Sequence, residues 1–224
     1  MTIRHVVWDW NGTLLDDVAL IAQVTSATLL GHGVEPLDVD GYRRVYRRPI
    51  GSLYEHLLGR SLEPDEFARL DADWHAHYAA GLDGCALFPG VVDALAEVER
   101  RGWSQSLCSM FPHGELPLLV ERLGIGQRFL RIDGVRGERG GRKQAHLQEH
   151  LDALGLGGPE TVVIGDSLDD AEAALGCGAH AVLLTTGLHQ PDDLRSAGVP
   201  VCEGVLAALD AVQRSDEIAA APAG

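Results

Sequence analysis

Apolar residues in this chain fall into short β-branched runs separated by stretches of helical spacing. Ile3 to Trp8 is the first run. It ends on Asp9, and the Asn11-Gly12-Thr13 turn leads into a helical pattern around Leu20 to Leu30. Further strands are predicted at Trp103 to Ser109, Phe129 to Ile132, Thr161 to Ile164, Ala181 to Leu184 and Val199 to Cys202. Helical spacing occupies Val91 to Arg101, Lys143 to Leu154 and Asp169 to Leu175. Such alternation predicts an α/β fold with a doubly wound parallel sheet. From Val18 to Gly84 the alternation stops and only helical patterns remain, among them Leu53 to Leu58 and Glu66 to Tyr78. The expected organisation is therefore a core of residues 1–17 and 85–213 and an inserted α-helical cap of residues 18–84. Residues 214–224, without apolar periodicity, are expected to form a flexible tail.

Composition narrows the function classes. The 224 residues are 46% hydrophobic, enough for one full core and a modest insertion. With 18 basic against 33 acidic residues the net charge is −15, which repels nucleic acid and anionic lipid. Neither is expected as a partner. Cys85, Cys108, Cys177 and Cys202 lack CxxC spacing and suggest neither a zinc site nor a disulfide framework, so a reducing cytoplasm is expected. No stretch reaches the ~20 apolar residues of a membrane span, and the amino terminus lacks a signal-peptide h-region.

Ligands of open α/β sheets bind at the carboxyl ends of the strands. The residues there are Asp9 with Asn11 and Thr13, then Ser109, then Lys143 at a helix start beside Arg142, then Asp166 with Asp169 and Asp170. Together they form a phosphoryl-transfer set. A carboxylate can attack phosphorus, a cation held by a second carboxylate can neutralise the phosphate, and a hydroxyl and an ammonium can orient its oxygens. Lys143 is the chain's single lysine among 17 arginines, and a crowded anionic site distinguishes a compact ammonium from a planar fork.

Val7-Trp8-Asp9-Trp10-Asn11-Gly12-Thr13-Leu14 resembles the DxDGT motif of haloacid dehalogenase-like hydrolases, and Gly165-Asp166-Ser167-Leu168-Asp169-Asp170 resembles their GDSxxD motif. Ser109 and Lys143 fall in order for the two motifs between, and Phe88-Pro89-Gly90-Val91 resembles the return from a helical cap. The nearest look-alikes are phosphoglycolate phosphatase-like proteins. The resemblance implies a Rossmann-like core and Mg²⁺-dependent hydrolysis of a small phosphorylated metabolite through an aspartyl-phosphate on Asp9. It further implies Asp166, Asp9 and the Asn11 carbonyl as metal ligands, with Asp170 either ligating the metal or holding Lys143. Thr13, Ser109 and Met110 would bind the phosphate. Arg47 and Arg48, in the basic cluster Arg43, Arg44, Arg47, Arg48, are candidates for clamping a substrate anion, and a solvated helical face explains the cluster as well. Asp169 is a candidate helix N-cap. Trp8 is expected in the core and Trp10 at the pocket.

Asn11 departs from the family pattern, which places there an Asp that protonates the leaving group and activates water. Loss of a general acid/base costs on the order of 10²–10⁴ in rate. Two readings follow. Another group supplies the proton, with His56, His75, His77 and His113 as candidates, or the chain is a catalytically degenerate domain that binds a phosphorylated ligand or protein partner. A phosphomutase is a further alternative. Haloacid dehalogenation is disfavoured because it needs no metal site, and phosphonoacetaldehyde hydrolase-like chemistry because it requires a lysine in the cap.

Overall fold

The computed structural model describes residues 3–136 and 143–220. Arg142 and residues 221–224 of the expected tail lie outside them. Strand β1 (His5–Trp8) leads into the short β2 (Leu15–Asp16) and four helices, α1 (Val18–Leu29), α2 (Val39–Val45), α3 (Ile50–Leu58) and α4 (Pro64–Gly81). The chain returns through β3 (Ala86–Leu87) and continues with α5 (Val91–Arg100), β4 (Ser104–Pro112), α6 (Leu116–Arg122), β5 (Ile132–Val135) and α7 (Lys143–Leu154). β6 (Thr161–Gly165), α8 (Leu168–Gly176), β7 (His180–Leu184), α9 (Pro191–Arg195), β8 (Val201–Cys202) and α10 (Val205–Ala220) complete it.

Six strands form one sheet in the order β5-β4-β1-β6-β7-β8, and every neighbouring pair is parallel. Side chains alternate across a strand, and here both faces are dry. Val6 and Trp8 of β1 join the cluster that holds Leu95 of α5 and Leu209 of α10, whereas Val7 joins Leu147 of α7 and Ala174 of α8 on the other face. The first cluster continues without a break into the helical insertion through Ile21, Leu53, Leu70 and Tyr78. β2 and β3 pair antiparallel, Leu15 opposite Leu87, so the chain leaves for the four helices and returns from them side by side.

Two expectations needed revision. The third predicted strand, Phe129 to Ile132, lies later, at Ile132–Val135, because its ladder with β4 begins where Ile132 meets Leu107. Phe129 and Leu130 belong to the approach, and Leu130 is exposed. Pairing outweighed local apolarity. The segment from Arg214 continues α10 as far as Ala220 rather than departing from the fold at once. No helix among the described residues is long and apolar enough to cross a membrane.

A chain of buried polar groups runs beneath one face. His5 bridges Ser104 (2.7 Å) and Ser106 (2.8 Å), and Ser106 also meets His150 Nε2 (2.7 Å). His150 Nδ1 in turn lies 2.8 Å from Asp133, which Arg131 also contacts. This tether joins α7 to the middle of the sheet. Burial pushes His5 down to about 4, with His150 adding to the effect, and burial also lowers His150. Asp133 resists its own burial because bonds from Arg131 and His150 hold it at about 2.

A histidine depressed in the fold binds fewer protons than in the unfolded chain. Stability therefore falls as pH drops from about 6.5, the unfolded value, to about 4. For His5 the loss amounts to roughly 3 kcal/mol. Urea midpoints of the wild type should decline more steeply across that window than those of His5→Gln. Equal slopes would show that His5 is protonated in the native state.

Candidate active site

The sheet order reverses at β1, whose neighbours are β4 on one side and β6 on the other, and the crevice of a doubly wound fold opens at such a point. Trp8 stands opposite both Leu107 and Ile164. The residue that follows, Asp9, donates its backbone N–H to Ile164 O at 2.9 Å, which sets it at the carboxyl edge of the sheet. Asp166 leaves the end of β6, and Ser109 lies near the end of β4. A cavity of about 560 Å³ opens here, lined by Asp9, Asn11, Ser109, Met110, Lys143 and Asp166 among others.

The loop after Asp9 is tight. Trp10 O accepts bonds from Thr13 N (3.3 Å), Leu14 N (2.9 Å) and Leu15 N (2.9 Å), and Gly12 takes a φ of 70°. The turn presses against Asp166: a Cβ at Gly12 would lie 2.6 Å from Asp166 Oδ2, and one at Gly187 1.7 Å away. Only glycine permits that approach. Thr13 Oγ1 donates to Asp166 Oδ1 at 3.2 Å.

Asp170 is oriented by a capping box at the start of α8, in which Asp170 Oδ2 accepts from Ser167 N (3.0 Å) and Ser167 Oγ (2.6 Å). Its other oxygen, Oδ1, lies 2.5 Å from Lys143 Nζ, and Lys143 Nζ donates equally to Asp9 Oδ1 at 2.5 Å. Oxygens of Asp9, Asp166 and Asp170 can all lie within 4.8 Å of one another. Burial raises the pKa of Asp9, and Asp170 adds to the rise while Lys143 opposes it. Asp166 is raised as well, by burial and then by repulsion from Asp9 and Asp170. Burial works against the charge on Lys143, yet Asp170 and Asp9 hold the ammonium well above its ordinary range. Three carboxylates and one ammonium leave an excess of buried negative charge. A hard divalent cation with oxygen ligands suits such a donor set.

The helical insertion closes over this edge. Arg43 reaches Gly187 O (2.8 Å) and Thr186 O (2.9 Å), and Arg48 pairs with Asp169 in the first turn of α8. Tyr46, Arg48, Trp74, His75 and Tyr78 line the cavity from the insertion side. Tyr78 Oη donates to Asp17 Oδ2 at 2.6 Å, and Asn11 Nδ2 donates to both, at 2.8 Å each. Burial, and then the neighbouring Asp17 charge, raises Tyr78 and keeps its hydroxyl protonated.

The motif residues Asp9, Asn11, Lys143, Asp166 and Asp170 converge, and Ser109 and Met110 line the same cavity. Thr13 is buried, and its hydroxyl is directed at Asp166. Arg47 folds back on Val45 O at 3.0 Å, and of the two candidate arginines only Arg48 lines the cavity. Trp10 is wholly buried in the core, not at the pocket. Ser167, not Asp169, caps α8, because Asp169 is turned outward toward Arg48. Of the candidate histidines, His75 lines the cavity while His56, His77 and His113 do not. Asp17 and Tyr78 were missed. The acidic pair Asp16-Asp17 ahead of a helical pattern was a signal for the first, and nothing local marked the second.

A family model of haloacid dehalogenase-like hydrolases matches residues 3–178. A phosphoglycolate phosphatase of Rhodospirillum rubrum is 29% identical over 196 residues, covering 82% of this chain and 80% of that protein. An N-acetylmuramic acid 6-phosphate phosphatase of Pseudomonas aeruginosa is 25% identical, covering 86% of each. Among solved structures, the haloacid dehalogenase-like protein SP0104 of Streptococcus pneumoniae superposes with a TM-score of 0.79 at 21% identity, over 94% of this chain and 98% of its own. The motif residues gathered at the switch point and the match over residues 3–178 lead to one assignment: this chain belongs to the haloacid dehalogenase-like hydrolases, as a phosphoric monoester hydrolase of that superfamily.

Proposed function

We propose that this chain hydrolyses a small organic phosphate monoester through an aspartyl-phosphate on Asp9, with Mg²⁺ held by Asp9, Asp166, Asp170 and the Asn11 backbone carbonyl. The observation that carries the reading is the buried carboxylate cluster bridged by Lys143, which offers both a nucleophile and hard oxygen ligands at one cavity. Held by these residues, the cation would supply charge neutralisation for the phosphate. Lys143 keeps Asp9 ionised and directed, and the Ser109 hydroxyl lies where it can meet a phosphoryl oxygen.

The insertion supplies a wall of aromatic side chains, Tyr46, Trp74 and Tyr78, with Arg48 as the cation placed to meet a second anionic group on the substrate. The substrates named for the relatives, phosphoglycolate and N-acetylmuramic acid 6-phosphate, both carry a carboxylate besides the phosphate. A small phosphorylated carboxylic acid is therefore the preferred substrate class. The four unpaired cysteines suit work in a reducing cytoplasm. Asn11 keeps a second reading in play, a domain that binds its ligand without turnover.

A panel of phosphorylated metabolites assayed with and without Mg²⁺ separates the two readings. Turnover that EDTA abolishes supports hydrolysis, and metal binding without turnover of any substrate supports the second. Asp166→Asn should lower Mg²⁺ affinity by at least about tenfold in calorimetry, because it removes a charged ligand from the cluster. Unchanged affinity would exclude Asp166 as a ligand.

Lys143→Arg should lower kcat by roughly 10²–10³, close to the loss in Lys143→Ala, since a planar fork cannot lie 2.5 Å from both Asp9 and Asp170. Normal steady-state kinetics in the arginine variant would reduce Lys143 to a plain charge.

A further inference from the structure

Asp17 stands at the N-cap of α1, where an aspartate ordinarily accepts from the first backbone N–H groups of its own helix, yet it makes no such bond. The carboxylate is turned instead toward the nucleophile loop. Oδ1 accepts from Gly12 N at 3.0 Å, and Oδ2 accepts from Asn11 Nδ2 at 2.8 Å and Tyr78 Oη at 2.6 Å. Asp17 is fully buried, a placement that costs several kcal/mol unless donors surround the charge. Here three do.

The arrangement decides which way the Asn11 amide faces. A carboxylate accepts and cannot donate, so the atom of Asn11 against Asp17 is nitrogen; the reversed amide would set oxygen against oxygen. The second N–H of the same nitrogen goes to Tyr78 Oη at 2.8 Å, whose own proton is given to Asp17. Both donors are thereby used. The Asn11 oxygen, on the other arm of the amide, is left without a part in these bonds, and Asn11 lines the cavity beside Asp17 and Tyr78.

We propose that Asp17 and Tyr78 are positioning residues that hold the Asn11 amide with its oxygen toward the cavity, where it accepts a hydrogen bond from the water that cleaves the phosphorylated Asp9. The proposal rests on the phosphatase reading above. In this step the water oxygen bonds to phosphorus, the bond between phosphorus and the Asp9 oxygen breaks, and the Asp9 carboxylate is restored. One water proton passes to a phosphate oxygen, so phosphate leaves as H₂PO₄⁻ and no side chain takes up a proton. Asn11 contributes orientation, which is how an amide can serve at a position where it cannot shuttle protons. Because Tyr78 belongs to α4 and stacks on Trp74 at 4.9 Å, the insertion must be closed for the amide to be held.

The experiment follows p-nitrophenyl phosphate with Mg²⁺ by rapid quench, reading nitrophenolate release and, by intact mass, the phosphorylated protein. In Tyr78→Phe, which loses one hydroxyl and keeps the ring stack, formation of the phosphorylated protein should stay within about threefold of wild type while its hydrolysis slows by about tenfold or more. Phosphorylated protein should therefore accumulate, with kcat reduced and KM lowered or level. Asp17→Asn should behave alike, because a side-chain amide at 17 can donate to the Asn11 oxygen and turn the amide round. Asn11→Asp alone brings two carboxylates together and should be less active than Asn11→Asp with Asp17→Asn, in which the donor and acceptor trade places. If Asp17→Asn does not fold, Tyr78→Phe alone decides. Equal slowing of both steps, or a lowered melting temperature with unchanged partitioning, overturns the positioning role. A wild type that turns over substrate without ever forming a phosphorylated protein overturns the aspartyl-phosphate reading and this role with it.

Discussion

Asp9, Asp166 and Asp170 offer oxygens that lie within 4.8 Å of one another in a buried site, and the one ammonium nearby is shared between two of them. Two like charges 4 Å apart repel by about 4 kcal/mol even at an effective dielectric of 20. Much of the surrounding structure answers that repulsion. Gly12 and Gly187 let backbone close on Asp166, Thr13 gives it a hydroxyl, and the Ser167 capping box takes one oxygen of Asp170 so that the other meets Lys143. Lys143 is held in turn by its helix: two turns along α7, His150 is tied to Ser106 and Asp133. A cation in the cluster would offset the residual charge excess, the same crowding of buried carboxylates that raises Asp9 and Asp166.

The sheet makes such a concentration of charge possible at one edge. Since β1 is flanked by β4 and β6, the loops after three strands open to the same side, and the helices on both faces keep water from the strands beneath. The four-helix insertion covers the edge, with polar contacts from Arg43 to the loop after β7 and from Arg48 to the first turn of α8. These polar contacts are partly solvated and add to the apolar cluster that runs from the sheet into the insertion through Ile21, Leu53, Leu70 and Tyr78.

What the sequence read well, it read through spacing. An apolar run must end somewhere, and in a parallel sheet its carboxyl end is where chemistry gathers, so Asp9, Ser109 and Asp166 stood out by position. The single lysine stood out by composition. Trp10 was misjudged because it sits in the loop after Asp9, and a loop residue's direction depends on the hydrogen bonds of the turn, here to Trp10 O, which no periodicity encodes. Arg47 and Arg48 are adjacent, and only the geometry of the chain after α2 sends one back to Val45 O and the other to Asp169.

The sequence by itself determined the parallel α/β architecture, the helical insertion as a pattern, and the carboxylates and lysine of the cluster, because each rests on local periodicity or on residue type at a strand end. Tertiary structure alone decided what stands around them. Tyr78 and Asn11 are 67 residues apart, and their contact exists only because α4 folds back over the loop after Asp9. Asp17 occupies the N-cap of α1, yet its carboxylate is turned away from that helix toward Tyr78. Side-chain direction and long-range contact depend on where the rest of the chain lies, which a linear pattern does not specify.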